Sequence, residues 1–190
     1  MDRHKRAMYG LTAVFILAQL AVILALVLKG RTDYARSVVF TTFLQLVFVF
    51  LEVKYQLFMS TYVRVLVMVT FFLDAAFGYY FDLYITSVVF DKFLHFFGAY
   101  TFSLFAYIFV AQLQGSSLAK PVKFILVACL GLSLGAFYEI LEFIFDSISH
   151  ADPPSQPNLL DTDLDLTADL LGSLLAGCHA ALRKFSDKYF

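Results

Sequence analysis

Tryptophan is absent from this 190-residue chain, charged residues make up only 15%, and four prolines and two cysteines complete the list of scarcities. Each excludes something. A soluble domain carries about a quarter charged residues, and this chain could not cover its Phe, Leu and Val with so little polar surface. The cysteines, Cys129 and Cys178, lie in apolar stretches without CxxC or zinc-ligand spacing; they read as packing residues. The net charge of -1 gives no basis for nucleic-acid binding. The prolines, at 121, 153, 154 and 157, fall at expected helix ends or in a loop, so no apolar stretch is interrupted by one. No GxSxG, P-loop or dinucleotide fingerprint occurs. Without tryptophan, tyrosine must supply any aromatic belt at a membrane surface.

What is present is apolar bulk: 61% hydrophobic residues, with 23 Phe and 11 Tyr. A bilayer accepts such a surface, and a spanning helix needs about 20 mostly apolar residues. The charge distribution predicts an all-α, polytopic transmembrane helix bundle forming one domain over 1–190. Its spans are expected near 7–28, 37–58, 62–81, 91–114, 121–146 and 164–182, the third and sixth being the weakest, with five spans the main competitor. Arg3, Lys5, Arg6, Lys54, Arg64, Lys120, Lys123, Arg183, Lys184 and Lys188 fall on one side of this layout. Lys29, Arg31, Arg36 and Lys92 fall on the other, so the positive-inside rule predicts both termini in the cytoplasm.

Three polar motifs interrupt the apolar pattern. In Asp91-Lys92-Phe93-Leu94-His95, Asp91 and His95 are four apart and share a helix face. Glu139, Glu142 and Asp146 follow at three- and four-residue steps, again on one face. Asp161-Thr162-Asp163-Leu164-Asp165 leads to Asp169 and Gly172. At about 1.5 Å per residue, His95 lies roughly 6 Å inside Asp91 and Glu139 roughly 22 Å along its helix from Phe124. All three motifs therefore fall in one shallow layer on the extracytoplasmic side. Ionisable groups in a span are costly and are by default a functional-site hypothesis. His95, Glu139, Glu142, Asp91 and Asp169 are the candidate catalytic residues. His95, Glu139 and Glu142 are also candidate ligands of a divalent metal ion, since His with carboxylates suits Zn²⁺, Mn²⁺ or Fe²⁺. Lys92 is expected to meet an anionic head group, with Asp165 beside it. The plainer readings are helix-start aspartates at the positive end of the dipole and a packing histidine. Gly131 and Gly135, and Gly172 with Ala176, read as internal packing seams.

At these motifs the chain resembles the YjdF-type inner-membrane protein family, a domain of unknown function. The likeness rests on Phe90-Asp91-Lys92-Phe93-Leu94-His95-Phe96, on Glu139-Ile140-Leu141-Glu142, and on Asp161-Thr162 continuing to Asp169-Leu170-Leu171-Gly172. It is distantly similar to VanZ-like membrane proteins, which share the Asp-Lys-x-x-His element; Leu170 and Leu171 stand where those proteins often carry an Asn. The resemblance implies a prokaryotic inner-membrane protein of the cell envelope and supplies no substrate. The leading expectation is a site that binds or processes a lipid-linked envelope component. A proton- or cation-coupled transporter and a non-catalytic membrane scaffold are the alternatives.

Overall fold

The computed structural model describes residues 3–114, 118–150 and 154–182. Arg183, Lys184, Lys188 and Pro153 lie outside the described residues. All regular structure among the described residues is helical: α1 (Arg3–Leu28), α2 (Thr32–Lys54), α3 (Thr61–Phe72) continuing as a π-helix (Leu73–Tyr80), the short α4 (Leu83–Thr86), α5 (Phe90–Gln114), α6 (Lys120–Ser149) and α7 (Leu159–Leu182). Five helical stretches are long and apolar enough to cross a membrane: Lys5–Leu28, Thr32–Lys54, Thr61–Tyr80, Phe90–Leu113 and Lys120–Ser149. α7, the expected sixth span, is not among them; it carries Asp161, Asp163, Asp165, Asp169 and His179.

Large apolar side chains stand outward along every long helix, among them Leu17, Phe43, Val65, Phe93, Phe143 and Leu175, while Gln19, Gln45, Arg64, Thr101 and Ser103 are buried. In water this distribution would leave a large sticky surface. In lipid it is the arrangement that puts apolar groups against hydrocarbon and lets polar groups find each other inside.

The chain divides into two compact units, Met1–Phe90 and Asp91–Phe190. In the first, α1 turns into α2 through Lys29-Gly30-Arg31. Gly30 has φ +75°, and the amides of Gly30 and Arg31 donate to the carbonyls of Val27 and Leu26. This is the glycine-dependent helix stop in which a left-handed residue satisfies the last carbonyls. The three cations of this expected external loop, Lys29, Arg31 and Arg36, all have partners, Arg36 pairing with Asp33 at 3.1 Å. Lys29 donates to the Tyr80 carbonyl at 2.7 Å and lies over the Tyr80 ring; Arg31 pairs with Asp82 at 2.7 Å. Leu26, Val38, Ala75 and Ala76 form the core there, with Tyr34, Tyr79 and Tyr80 packed on it. In the π-helix, Gly78 leaves room for the Tyr84 ring, whose hydroxyl donates to Asp74 at 2.6 Å. Asp74 thus pairs locally. At the other end of this unit, Arg64 and Glu52 form a buried ion pair at 2.6 Å.

The second unit packs α5, α6 and α7. The buried face of α6 is Lys123, Val127, Gly131, Gly135 and Glu139, a stripe repeating every four residues. Two glycines in that stripe admit neighbours that a methyl group would block. A Cβ on Gly131 would meet Ser103 and Ser173, and one on Gly135 would meet Asp169. Gly172 of α7 lies against the Phe96 carbonyl of α5 and Gly177 against the Phe124 carbonyl of α6. The expected glycine seams are internal contacts, and they bring three helices close enough for short acidic side chains to meet. His179 stacks on Tyr100 and shares a hydrogen bond with it, a packing role.

Candidate functional site

The start of α5, the end of α6 and the start of α7 meet at one end of the second unit. His95 is at the centre and is buried. Its Nδ1 lies 3.3 Å from Asp169 Oδ1 and 3.4 Å from Oδ2. A carboxylate partner suits the tautomer in which this nitrogen is an N–H donor. Its Nε2 faces three more carboxylate oxygens: Glu139 Oε1 at 3.6 Å, Asp91 Oδ1 at 3.8 Å and Asp165 Oδ1 at 3.8 Å. These separations are too long for hydrogen bonds. Glu139 Oε1 and Asp165 Oδ1 are buried and have no hydrogen-bond partner among the described residues. The Tyr138 ring stands edge-on to the imidazole and is itself half exposed, one side chain from the lipid-facing surface.

Around this centre the sequence-predicted residues gather, and others join them. Glu142 shares a cluster with His95 and Glu139 in which one ligand atom from each lies within 4.8 Å of the rest; Asp91, His95 and Asp165 form a second such cluster. Lys92 is held by aspartates. Its ammonium donates to Asp91 at 2.9 Å, to Asp165 at 2.8 Å and to Asp161. Three donors meet three aspartates, which uses the whole capacity of an ammonium. Asp169 reaches His95 because Gly135 has no side chain in its way.

Three further residues contribute to the centre. Asp161 engages Lys92 across 69 residues of chain. Gln156, in the loop before α7, donates its side-chain amide to the carbonyl oxygen of Glu139 at 2.8 Å and to Glu139 Oε2 at 2.7 Å. Asp146, one turn beyond Glu142, accepts from the Gln156 main-chain amide at 2.8 Å. Asp161 and Asp146 stand in the acidic runs that spacing picks out. Gln156 has no local signal beyond the prolines that flank it.

The arrangement can do two things chemically. Acids outnumber Lys92 and His95, and a neutral His95 would turn its Nε2 lone pair toward three oxygens. A cation between them relieves both conflicts. Two ligands held about 2.0–2.2 Å from a tetrahedral zinc-like ion stand about 3.4 Å apart, a few tenths of an ångström below the separations of His95 Nε2 from Glu139, Asp91 and Asp165. Asp169 behind Nδ1 supplies the partner that metal-bound histidines regularly have. The same groups without a metal would form an acid–base network in which His95 exchanges a proton with Glu139.

A helical, lipid-facing protein with a histidine–carboxylate centre at one end of a three-helix unit is the class that these features define. The chain belongs to the family described as predicted membrane protein (DUF2238), which matches residues 11–184, the YjdF-type family of the sequence resemblance. An uncharacterized protein of Thermotoga maritima is 31% identical over 119 residues, 63% of this chain and 61% of that relative. The matched region therefore spans less than two thirds of the relative's length. No solved structure matches the chain.

Proposed function

We propose that the His95 centre is a membrane-embedded divalent-cation site that binds or processes an anionic, lipid-linked component of the cell envelope. The observation that carries this reading is the pair of buried carboxylate oxygens, Glu139 Oε1 and Asp165 Oδ1, that lack hydrogen bonds and face His95 Nε2. A buried ionised oxygen left unpaired is expensive, and a bound cation is the partner that also satisfies the nitrogen. His95, Glu139 and Glu142 would hold the ion, and Asp91 and Asp165 form a second cluster with the same histidine. Asp169 orients the imidazole. Lys92 acts as counter-ion to Asp91, Asp161 and Asp165 and lets them share one layer. The metal would polarise a phosphoryl oxygen or activate a water. Glu142, only partly buried, is then the group best placed to exchange protons with substrate.

The excess of acid argues against direct capture of an anion by the protein alone, which is why metal and anionic substrate belong together. Half-exposed Tyr138 beside His95 suits a substrate arriving from the lipid side. Lys120 and Lys123 stand at the opposite end of α6, which by the positive-inside rule supports an extracytoplasmic position for the centre. In this arrangement α7 is a sixth span and both termini are cytoplasmic. Transport is the weaker reading. Beyond Ser103 and Ser173 the buried side chains include the apolar Val127, Leu104 and Ala176, which offer no continuous polar path.

The test is the metal content of the detergent-purified protein beside a Glu139→Gln/Glu142→Gln variant. Stoichiometric metal is expected in the wild type and none in the variant. The metal-free variant should be at least as stable as metal-free wild type, because it relieves like-charge repulsion. Added Mn²⁺ or Zn²⁺ should raise the melting temperature of wild type alone, by the equivalent of about 2.7 kcal/mol at a hundred times Kd. A wild type that takes up no metal and gains no stability from it would remove the reading. Retained metal would justify turnover assays with polyprenyl phosphates and diphosphates.

A further inference from the structure

We infer that Gln156, in the loop between α6 and α7, is the positioning residue that aims Glu139 at the bound cation; this rests on reading the cluster as a cation centre. Its side-chain nitrogen donates twice to one residue, to the main-chain oxygen and to Oε2 of Glu139. Both partners are acceptors, so the amide must turn its NH₂ toward them, and the opposite orientation would face oxygen with oxygen. The two bonds close a ring over the glutamate side chain. The terminal torsion of a glutamate is otherwise broad, and here the bond to Oε2 fixes the carboxylate plane. Oε1, the oxygen with no hydrogen bond, is thereby held 3.6 Å from His95 Nε2.

Gln156 is itself held in place. Its main-chain amide donates to Asp146 Oδ2, and Pro154 and Pro157 restrict the backbone on either side. Two residues on, Asn158 Oδ1 accepts from the amide of Asp161, which in turn engages Lys92. One short stretch of loop therefore fastens both the metal-ligand side and the counter-ion side of the cluster. The Asp146 contact and the Asn158–Asp161 bond anchor the loop without using the Gln156 side chain. The double donation to Glu139 is what a supporting residue behind a metal ligand supplies, and removing such a residue weakens metal binding about 10- to 100-fold.

Zn²⁺ and Mn²⁺ titrated calorimetrically into the full-length protein in detergent test this. The variants are Gln156→Ala, Gln156→Met, which keeps length without a donor, and Ser155→Ala as a loop control. Both Gln156 variants should bind about 10- to 100-fold more weakly than wild type, with metal-free melting temperatures matching the Ser155→Ala control. Gln156→Met added to Glu139→Gln should cost little further affinity, since the group it positions is already lost. If Gln156→Ala fails to fold, Gln156→Met decides. Wild-type affinity in the Gln156 variants would overturn the assignment while leaving the cation centre intact. A wild type that binds neither ion would overturn the centre and this role together.

Discussion

Two buried clusters of charge, one in each unit, solve opposite problems. Glu52 and Arg64 lie within 2.6 Å of each other, both almost wholly buried, and their charges cancel one to one. At His95 the carboxylates of Asp91, Glu139, Asp165 and Asp169 crowd one imidazole, and Lys92 is spread over three aspartates. The first cluster is balanced, with one cation for one anion. The second is open, since it has acceptors to spare. Burial of charge is common to both clusters; the imbalance of charge is what sets the second apart.

The sharpest way to break this contrast is to remove one member from each cluster. Arg64→Met leaves Glu52 buried without its arginine and should cost about 3–5 kcal/mol, read by thermal or denaturant unfolding in detergent. Glu52→Met/Arg64→Met should recover most of that loss, because a neutral pair of similar volume restores the balance. At the His95 centre, neutralising Glu139 and Glu142 is expected to move metal-free stability the other way. If both clusters lose stability alike, the second is a structural network and the comparison fails.

Much of this was legible in the sequence where the signal is local. Charge-free runs located the long apolar helices, and steps of four residues linked Asp91 with His95. The boundaries were less legible. α2 starts at Thr32 and α6 ends at Ser149, beyond the expected 37 and 146. Apolar runs mark where hydrocarbon would lie, whereas hydrogen bonding carries a helix past it. The π-helix at Leu73–Tyr80 was not legible, for its composition resembles that of any apolar helix. The contacts of Lys92 with Asp161 and Asp165 were not legible, because those partners lie 69 and 73 residues away. Only the packing register of α5 against α7, set by Gly172 on Phe96, brings them together. Gln156 was invisible for the same reason.

The glycines give a second comparison of the two units, with smaller effects. A Cβ on Gly172 would lie 2.1 Å from the Phe96 carbonyl oxygen and 3.1 Å from the Tyr100 nitrogen, both backbone atoms. One on Gly78 would lie 2.3 Å from the Tyr84 ring. Backbone can yield only by moving a helix, whereas a ring can swing. Gly172→Ala should therefore cost at least about 1–3 kcal/mol by overpacking, offset in part by the better helix propensity of alanine, about 1 kcal/mol. It should also loosen the Lys92 contacts with Asp161 and Asp165. Gly78→Ala should cost less, its main consequence being the displaced Tyr84–Asp74 hydrogen bond. Melting temperatures of the two variants, measured side by side, would rank them; the reverse order would mean that α5 and α7 have slack that their close approach does not suggest.

The smallest expected difference concerns how a helix begins in each unit. Ser60 precedes α3, and its hydroxyl accepts from the Val63 amide at 3.2 Å, while Ala119 precedes α6 with no side-chain cap. A serine or threonine at such a position satisfies an amide that the helix itself leaves open. Ser60→Ala should cost about 1 kcal/mol. Ala119→Ser should gain a similar or smaller amount, since Ala119 is exposed and has an extended ψ of 143° that suits a cap. The gain is limited because Pro121, in the first turn, already removes one unsatisfied donor. Equilibrium unfolding of the two single variants and of the pair would show opposite signs that add, given that the sites share no partner. A loss at both positions would show that the first turn of α6 depends on something other than its missing cap.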